Sequence, residues 1–150
     1  MNIVQKLIEN KITIAVAESC TGGMLAKAIT DESGSSQIFE IGIVAYSETA
    51  KSNLLGIDAV DIKKFGVVSE TVAKQMARKV REIAKSQIGV GITGVAGPGG
   101  GTEGTPVGTV YIAIATQLRM VCRKHIFSGN RDSVRRQAVI TTLLMIENFC

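Results

Sequence analysis

Tryptophan is absent from this chain, histidine occurs once, proline twice and cysteine three times in 150 residues. Each scarcity excludes something. Cys20, Cys122 and Cys150 are odd in number and show no CxxC spacing, so neither a disulfide framework nor a zinc site is expected. The lone histidine, His125, lies in the run Arg123-Lys124-His125 with no carboxylate beside it. The usual histidine base of a serine hydrolase is therefore barely available. Four Phe and two Tyr are few for the stacking platforms of nucleic-acid binders. No apolar run reaches the ~20 residues that span a bilayer. Met1 to Lys11 carries Lys6, Glu9 and Lys11 in an amphipathic pattern, unlike the solid apolar stretch of a signal peptide. A cytoplasmic protein follows as the expectation, with no nucleic-acid or membrane partner, no metal and no cofactor.

What is present fits one globular domain spanning residues 1–150. Hydrophobic residues make up 45% of the chain, enough to build a core and too many for a disordered chain. The net charge of +4 suits an anionic partner weakly, because the basic residues are spread over several segments.

Apolar periodicity places a helix over Ile3–Ile8 and another over Met24–Ile29. A short helix over Ser47–Leu55 is stopped by Gly56. A longer one runs from the Ser69 cap to about Ser86, with Val72, Met76, Val80 and Ile83 as its apolar stripe. Strands are expected over Thr13–Ala17, Ile38–Tyr46 and Ile88–Thr93. Val107–Thr116 and Arg119–Phe127 read as a hairpin turning at Gln117 and Leu118. Asn130 caps a last helix containing Val134, Ala138, Leu144, Met145 and Phe149, whose apolar face is wide, since Val139, Ile140, Leu143 and Ile146 also need cover. Either the core or a partner copy can cover that face. Interleaved helices and strands predict a layered α/β domain, and the short late connections predict a mixed sheet.

Three segments can carry chemistry. Glu18-Ser19-Cys20-Thr21-Gly22-Gly23 sits at a strand-to-helix turn, where free N–H groups and the helix dipole favour an oxyanion or phosphate. Ser19 is the candidate nucleophile there; the plainer alternative is that Ser19 or Thr21 merely caps the helix. Cys20 competes as nucleophile, since a thiol at a helix start can ionise easily. With histidine scarce, a lysine in an environment that lowers its pKa can act as base, and Lys51, five residues after Tyr46, is placed for it.

The second segment, Gly91 to Gly108, holds eight of the sixteen glycines. It follows a strand and reads either as an anion-binding loop or as a mobile surface loop. It is neither a P-loop nor a dinucleotide fingerprint. The third, Gly129 to Gln137, places Arg131, Arg135 and Arg136 at a helix start, against the dipole. An anion site and surface ion pairing both account for them.

Taken in order, Ala17-Glu18-Ser19-Cys20-Thr21-Gly22-Gly23, Tyr46-Ser47 with Lys51, Thr93-Gly94-Val95-Ala96-Gly97-Pro98, Pro106-Val107-Gly108-Thr109-Val110 and Gly129 to Gln137 resemble the CinA C-terminal domain family. The resemblance covers nearly the whole chain. It implies a three-layer α/β/α sandwich with a mixed, largely parallel central sheet, and self-association into a homo-oligomer. It also implies nicotinamide-nucleotide amidase activity, in which water converts nicotinamide mononucleotide to nicotinate mononucleotide and ammonia. On that pattern Ser19 is the nucleophile, Lys51 its base and Tyr46 a companion in the site. Glu18, Thr21, Gly22, Gly23, Thr93, Gly94 and Gly97 border the pyridine mononucleotide, and Arg135 or Arg136 meets its phosphate. Asn130 and Thr105 depart from the pattern, where aspartate and lysine are usual. A non-catalytic nucleotide-binding or regulatory module is the alternative reading.

Overall fold

The computed structural model describes residues 2–150. Along the chain run α1 (Ile3–Asn10), β1 (Ile14–Glu18), α2 (Met24–Thr30), β2 (Phe39–Val44), α3 (Glu48–Leu55), α4 (Ala59–Phe65), α5 (Glu70–Ala84), β3 (Ile88–Gly94), β4 (Thr109–Ala115), β5 (Met120–Ile126) and α6 (Arg131–Glu147). The five strands form one sheet in the order β2-β1-β3-β4-β5. β2, β1 and β3 are parallel neighbours, whereas β4 pairs antiparallel with both β3 and β5. Only β4 is reversed, so the sheet is mixed and largely parallel, as expected.

The layers follow from alternation along the strands. Ile14 and Val16 of β1, with Ile88, Val90 and Ile92 of β3, join α1, α2 and α6 in one core. Ala15 and Ala17 face the opposite way, into a second core with Leu55, Ile62, Val72, Met76 and Val80 of α3, α4 and α5. Each fully buried branched side chain contributes ~1.5–3 kcal/mol, so the two cores fix β1 and β3 from both faces. None of the described helices is long and apolar enough to cross a membrane.

Two glycines of β3 let α5 lie unusually close. A Cβ on Gly89 would stand 2.1 Å from the Ala77 carbonyl oxygen, and one on Gly91 2.3 Å from that of Ala73. Gly91 therefore serves packing and does not belong to the glycine-rich loop in which the sequence reading counted it. Gly94 closes β3, and Gly108 packs against the Phe127 carbonyl, where a Cβ would lie 2.0 Å away.

Most expected elements are present, with three differences. The segment after Gly56 forms α4, held by the Asp58 side chain accepting from the Val60 amide and by buried Ile62. Seven residues carry too little periodicity to be read alone. Ile83 is 46% exposed rather than part of the α5 stripe, whose buried face is completed by Ala73 and Ala77. On α6 the core covers Val134, Ala138, Val139, Met145 and Ile146, while Ile140 and Leu144 stay exposed.

The close approach of α5 gives a direct test. Gly91→Ala is expected to destabilise the fold by about 1–3 kcal/mol through overpacking, read as a lowered midpoint in urea unfolding with unchanged slope.

Candidate active site

In an open α/β sheet, ligands bind where neighbouring connections leave the sheet in opposite directions, beyond the carboxyl ends of the strands. Here β1 lies between β2 and β3, its parallel partners. The three carboxyl ends deliver Ser19, Ala45-Tyr46 and Thr93-Gly94 to one edge. A cleft of about 330 Å³ opens there, lined among others by Ser19, Tyr46, Glu48, Lys51, Thr93 and Arg131.

At its centre Lys51 Nζ donates to Ser19 Oγ at 2.9 Å and to the Ala45 carbonyl at 2.8 Å. Ser47 caps α3 by accepting from the Ala50 amide, which turns the first helical turn so that Lys51 points inward. Lys51 is 1% exposed. Burial pulls its pKa below the usual lysine value, against the opposing pull of the Cys20 thiolate form and the Glu48 carboxylate. Burial thus shifts the balance toward the neutral amine, which lies at hydrogen-bond distance from a serine hydroxyl, an arrangement suited to a nucleophile and its base.

The competing nucleophile is disfavoured. Cys20 is buried, and desolvation pushes its thiol up to about 11, the reverse of an activated cysteine. His125 lies on the edge strand β5, stacked on Phe127, and does not line the cleft.

The remaining residues fall into distinct positions. Both carboxylate oxygens of Glu18 accept from α2, at the Leu25 amide (2.9 Å) and the Ala26 amide (3.0 Å). Glu18 therefore braces the helix start through both of its oxygens. Thr21 is buried with its hydroxyl unpartnered. Gly22 and Gly23 take φ of 57° and 99°, the left-handed conformations this turn requires. Thr93, 1% exposed, donates its hydroxyl to the Val67 carbonyl at 2.9 Å, tying the α4–α5 connection to the cleft. Gly97 sits at the rim, where its carbonyl accepts from Arg131 Nη1 at 2.8 Å.

The three arginines do three different things. Arg131 is the one that lines the cleft, and its Nη2 also donates to the Tyr46 hydroxyl at 3.0 Å. Arg135 reaches the backbone of the Ser19 turn. Arg136 pairs with Asp132 at 2.7 Å on an exposed face, away from the cleft. Of the three arginines among which the sequence leaves the phosphate contact open, the one that lines the cleft is Arg131, rather than Arg135 or Arg136. Helical spacing held the signal: Arg131 and Arg135 are four apart and share a face, from which Arg136 is turned by about 100°. Asn130, at one of the departing positions, caps α6 by accepting from the Ser133 amide at 2.9 Å, which aspartate would do equally.

Comparisons with known proteins agree with this architecture. The model of the CinA C-terminal domain matches residues 1–150. A competence-damage inducible protein of Thermoanaerobacter pseudethanolicus is 43% identical over 147 residues, covering 98% of this chain and 36% of the relative. A CinA-like protein of Geobacter sulfurreducens is 44% identical over 135 residues, covering 90% of this chain and 33% of the relative. The chain thus spans about a third of the length of these curated relatives. The crystal structure of competence/damage inducible protein CihA from Agrobacterium tumefaciens superposes with a TM-score of 0.94 at 33% identity, covering 97% of this chain and 90% of that one. With the whole chain matched in both sequence and fold, it belongs to the CinA C-terminal domain family.

Proposed function

We propose that this domain is an amidohydrolase that converts nicotinamide mononucleotide to nicotinate mononucleotide and ammonia. The observation that carries the reading is the buried Lys51–Ser19 contact at 2.9 Å. A lysine sealed from solvent beside a serine hydroxyl stabilises nothing that an apolar residue would not, yet it supplies a neutral base.

Neutral Lys51 takes the Ser19 proton as Oγ attacks the carboxamide carbon. The tetrahedral intermediate collapses as Lys51 returns that proton to the departing nitrogen, which leaves as ammonia. Water, deprotonated by Lys51, then cleaves the acyl-serine ester, and the proton passes back to Ser19. The Ala45 carbonyl fixes one Lys51 N–H at 2.8 Å, which keeps Nζ within reach of Oγ for the proton transfers. Arg131, at the rim beside Tyr46 and Gly97, is the cation placed to receive the 5′-phosphate.

The first test is ammonia release from nicotinamide mononucleotide by the purified protein, with Ser19→Ala beside it. Turnover in the parent and its loss in the variant are expected. Saturable binding without ammonia from either protein would replace the amidase with a nucleotide-binding module.

Lys51→Met is expected to lower kcat at least about a thousandfold without lowering the melting temperature. The sign with pH follows from the depressed Lys51 pKa. Between that value and 10.5 the unfolded chain binds the extra proton, so this group makes stability rise with pH across the window. The methionine variant should lose that slope, and in the parent kcat/KM should rise as Lys51 deprotonates.

Arg131→Gln is expected to raise KM for the mononucleotide about tenfold or more while leaving that for the dephosphorylated nucleoside within about twofold. Equal effects on both substrates would remove Arg131 from phosphate recognition.

A further inference from the structure

We infer that Arg135 is a positioning residue for Ser19, acting through the backbone of the nucleophile turn rather than on the substrate. The inference deepens the amidase reading and rests on it for its kinetic arm.

The turn from Ser19 to Gly23 is poorly determined by its own sequence. Gly22 and Gly23 are consecutive left-handed residues, at φ 57° and 99°, in a stretch that belongs neither to β1 nor to α2. Glycine enters such conformations freely and leaves them as freely. Local hydrogen bonds within the turn are two: the Gly22 amide to the Ser19 carbonyl and the Met24 amide to the Thr21 carbonyl, both at 3.0 Å. Neither engages the Cys20 carbonyl.

Arg135 supplies what is missing from a point remote in sequence. Its Nε donates to the Cys20 carbonyl at 3.0 Å and its Nη2 to the Thr21 carbonyl at 3.2 Å. Two successive peptide planes are thereby held by one rigid planar fork, and because each peptide is planar, their orientation is fixed as well. A lysine cannot do this, since a single ammonium offers no such fixed pair. Gly22 is shaped to the contact: a Cβ there would stand 3.1 Å from Arg135 Nη2. The glycine thus provides the turn conformation and also leaves the guanidinium room.

The consequence reaches Ser19 directly. Its amide is tied to the Ile92 carbonyl of β3 at 3.0 Å, and the residue following it is tied to α6 through Arg135. With both sides anchored, Oγ stays at hydrogen-bond distance from Lys51. Loosening one anchor displaces Oγ without removing any group that touches substrate, and displacement on the order of 1 Å costs about a hundredfold in rate.

Arg135→Gln tests this on the whole chain, with nicotinamide mononucleotide and its dephosphorylated nucleoside as paired substrates. The expected result is a loss of kcat of about ten- to a hundredfold for both, with each KM within about threefold. Amide hydrogen exchange should quicken at residues 20–24 while the middle of α6 remains protected. A rise in KM confined to the mononucleotide would overturn the inference and make Arg135 a phosphate ligand. Unchanged kcat, or unchanged exchange in the turn, would overturn it as well. Absence of parent turnover would defeat the amidase reading alone. The inference would then stand or fall on the exchange and on the rate at which an alkyl fluorophosphonate labels Ser19, expected to drop in the variant.

Discussion

Everything at the cleft depends on a lysine ammonium's dislike of burial. Lys51 is the largest side chain sealed from solvent in this fold, and an isolated buried charge costs several kcal/mol even after relaxation. No carboxylate forms a salt bridge with it among the described residues. Burial acts toward deprotonation, with the amine held between Ser19 Oγ and the Ala45 carbonyl. The base is thus made by packing. Burial lowers its pKa and outweighs the opposing pull of the Glu48 carboxylate, to which the Cys20 thiol, pushed up to about 11, would add only once ionised. Its strength is therefore coupled to the seating of α3 against the sheet and to the Leu55 and Ile57 contacts that keep water out.

The sheet topology makes that seating possible. β1 and β3 contribute no charged side chain to the core except Glu18, whose carboxylate is consumed by two amides of α2. With small Ala15 and Ala17 on the α3–α5 side of β1, and Gly89 and Gly91 on the α5 side of β3, the helices come close to the strands. A tight layer on this side excludes solvent from Lys51. Bulky residues are concentrated on the opposite face, under α1, α2 and α6, where branched side chains fill a deeper core.

Much of this was legible in the sequence. Apolar periodicity located β1, β3, the β4–β5 hairpin and five of the six helices, because each buries a regular stripe or a continuous run. Ser19, Tyr46 and Lys51 were legible as a set through scarcity of histidine and through the family resemblance; the meeting of Ser19 and Lys51 within 3 Å lies beyond any local pattern, since 32 residues separate them, and Tyr46 meets Arg131 instead. The glycines misled where composition was read as function. Gly91 and Gly108 answer to a helix backbone and to the Phe127 carbonyl, partners far along the chain. Helix α4 and the exposure of Ile83 escaped for the same reason, being settled by tertiary neighbours rather than by local preference.

The arginines show how placement divides chemically identical groups. A positively charged helix start is unfavourable by itself, and the cost is offset differently at each position. Arg136 is neutralised by Asp132 one turn earlier. Arg135 is satisfied by two carbonyls of an irregular turn, of which the Cys20 carbonyl has no hydrogen bond within the turn. Arg131, like Arg135, is braced by neutral partners, here Gly97 and Tyr46, but it is the arginine that lines the cleft and so places its charge at the mouth. An anion arriving there would meet a cation already oriented by two hydrogen bonds, at the rim of a cleft whose proposed base has its pKa lowered by burial. In the proposed reaction, charge for recognition and a burial-weakened cation for proton transfer are thus separated within one small site, α6 carrying the first and α3 the second.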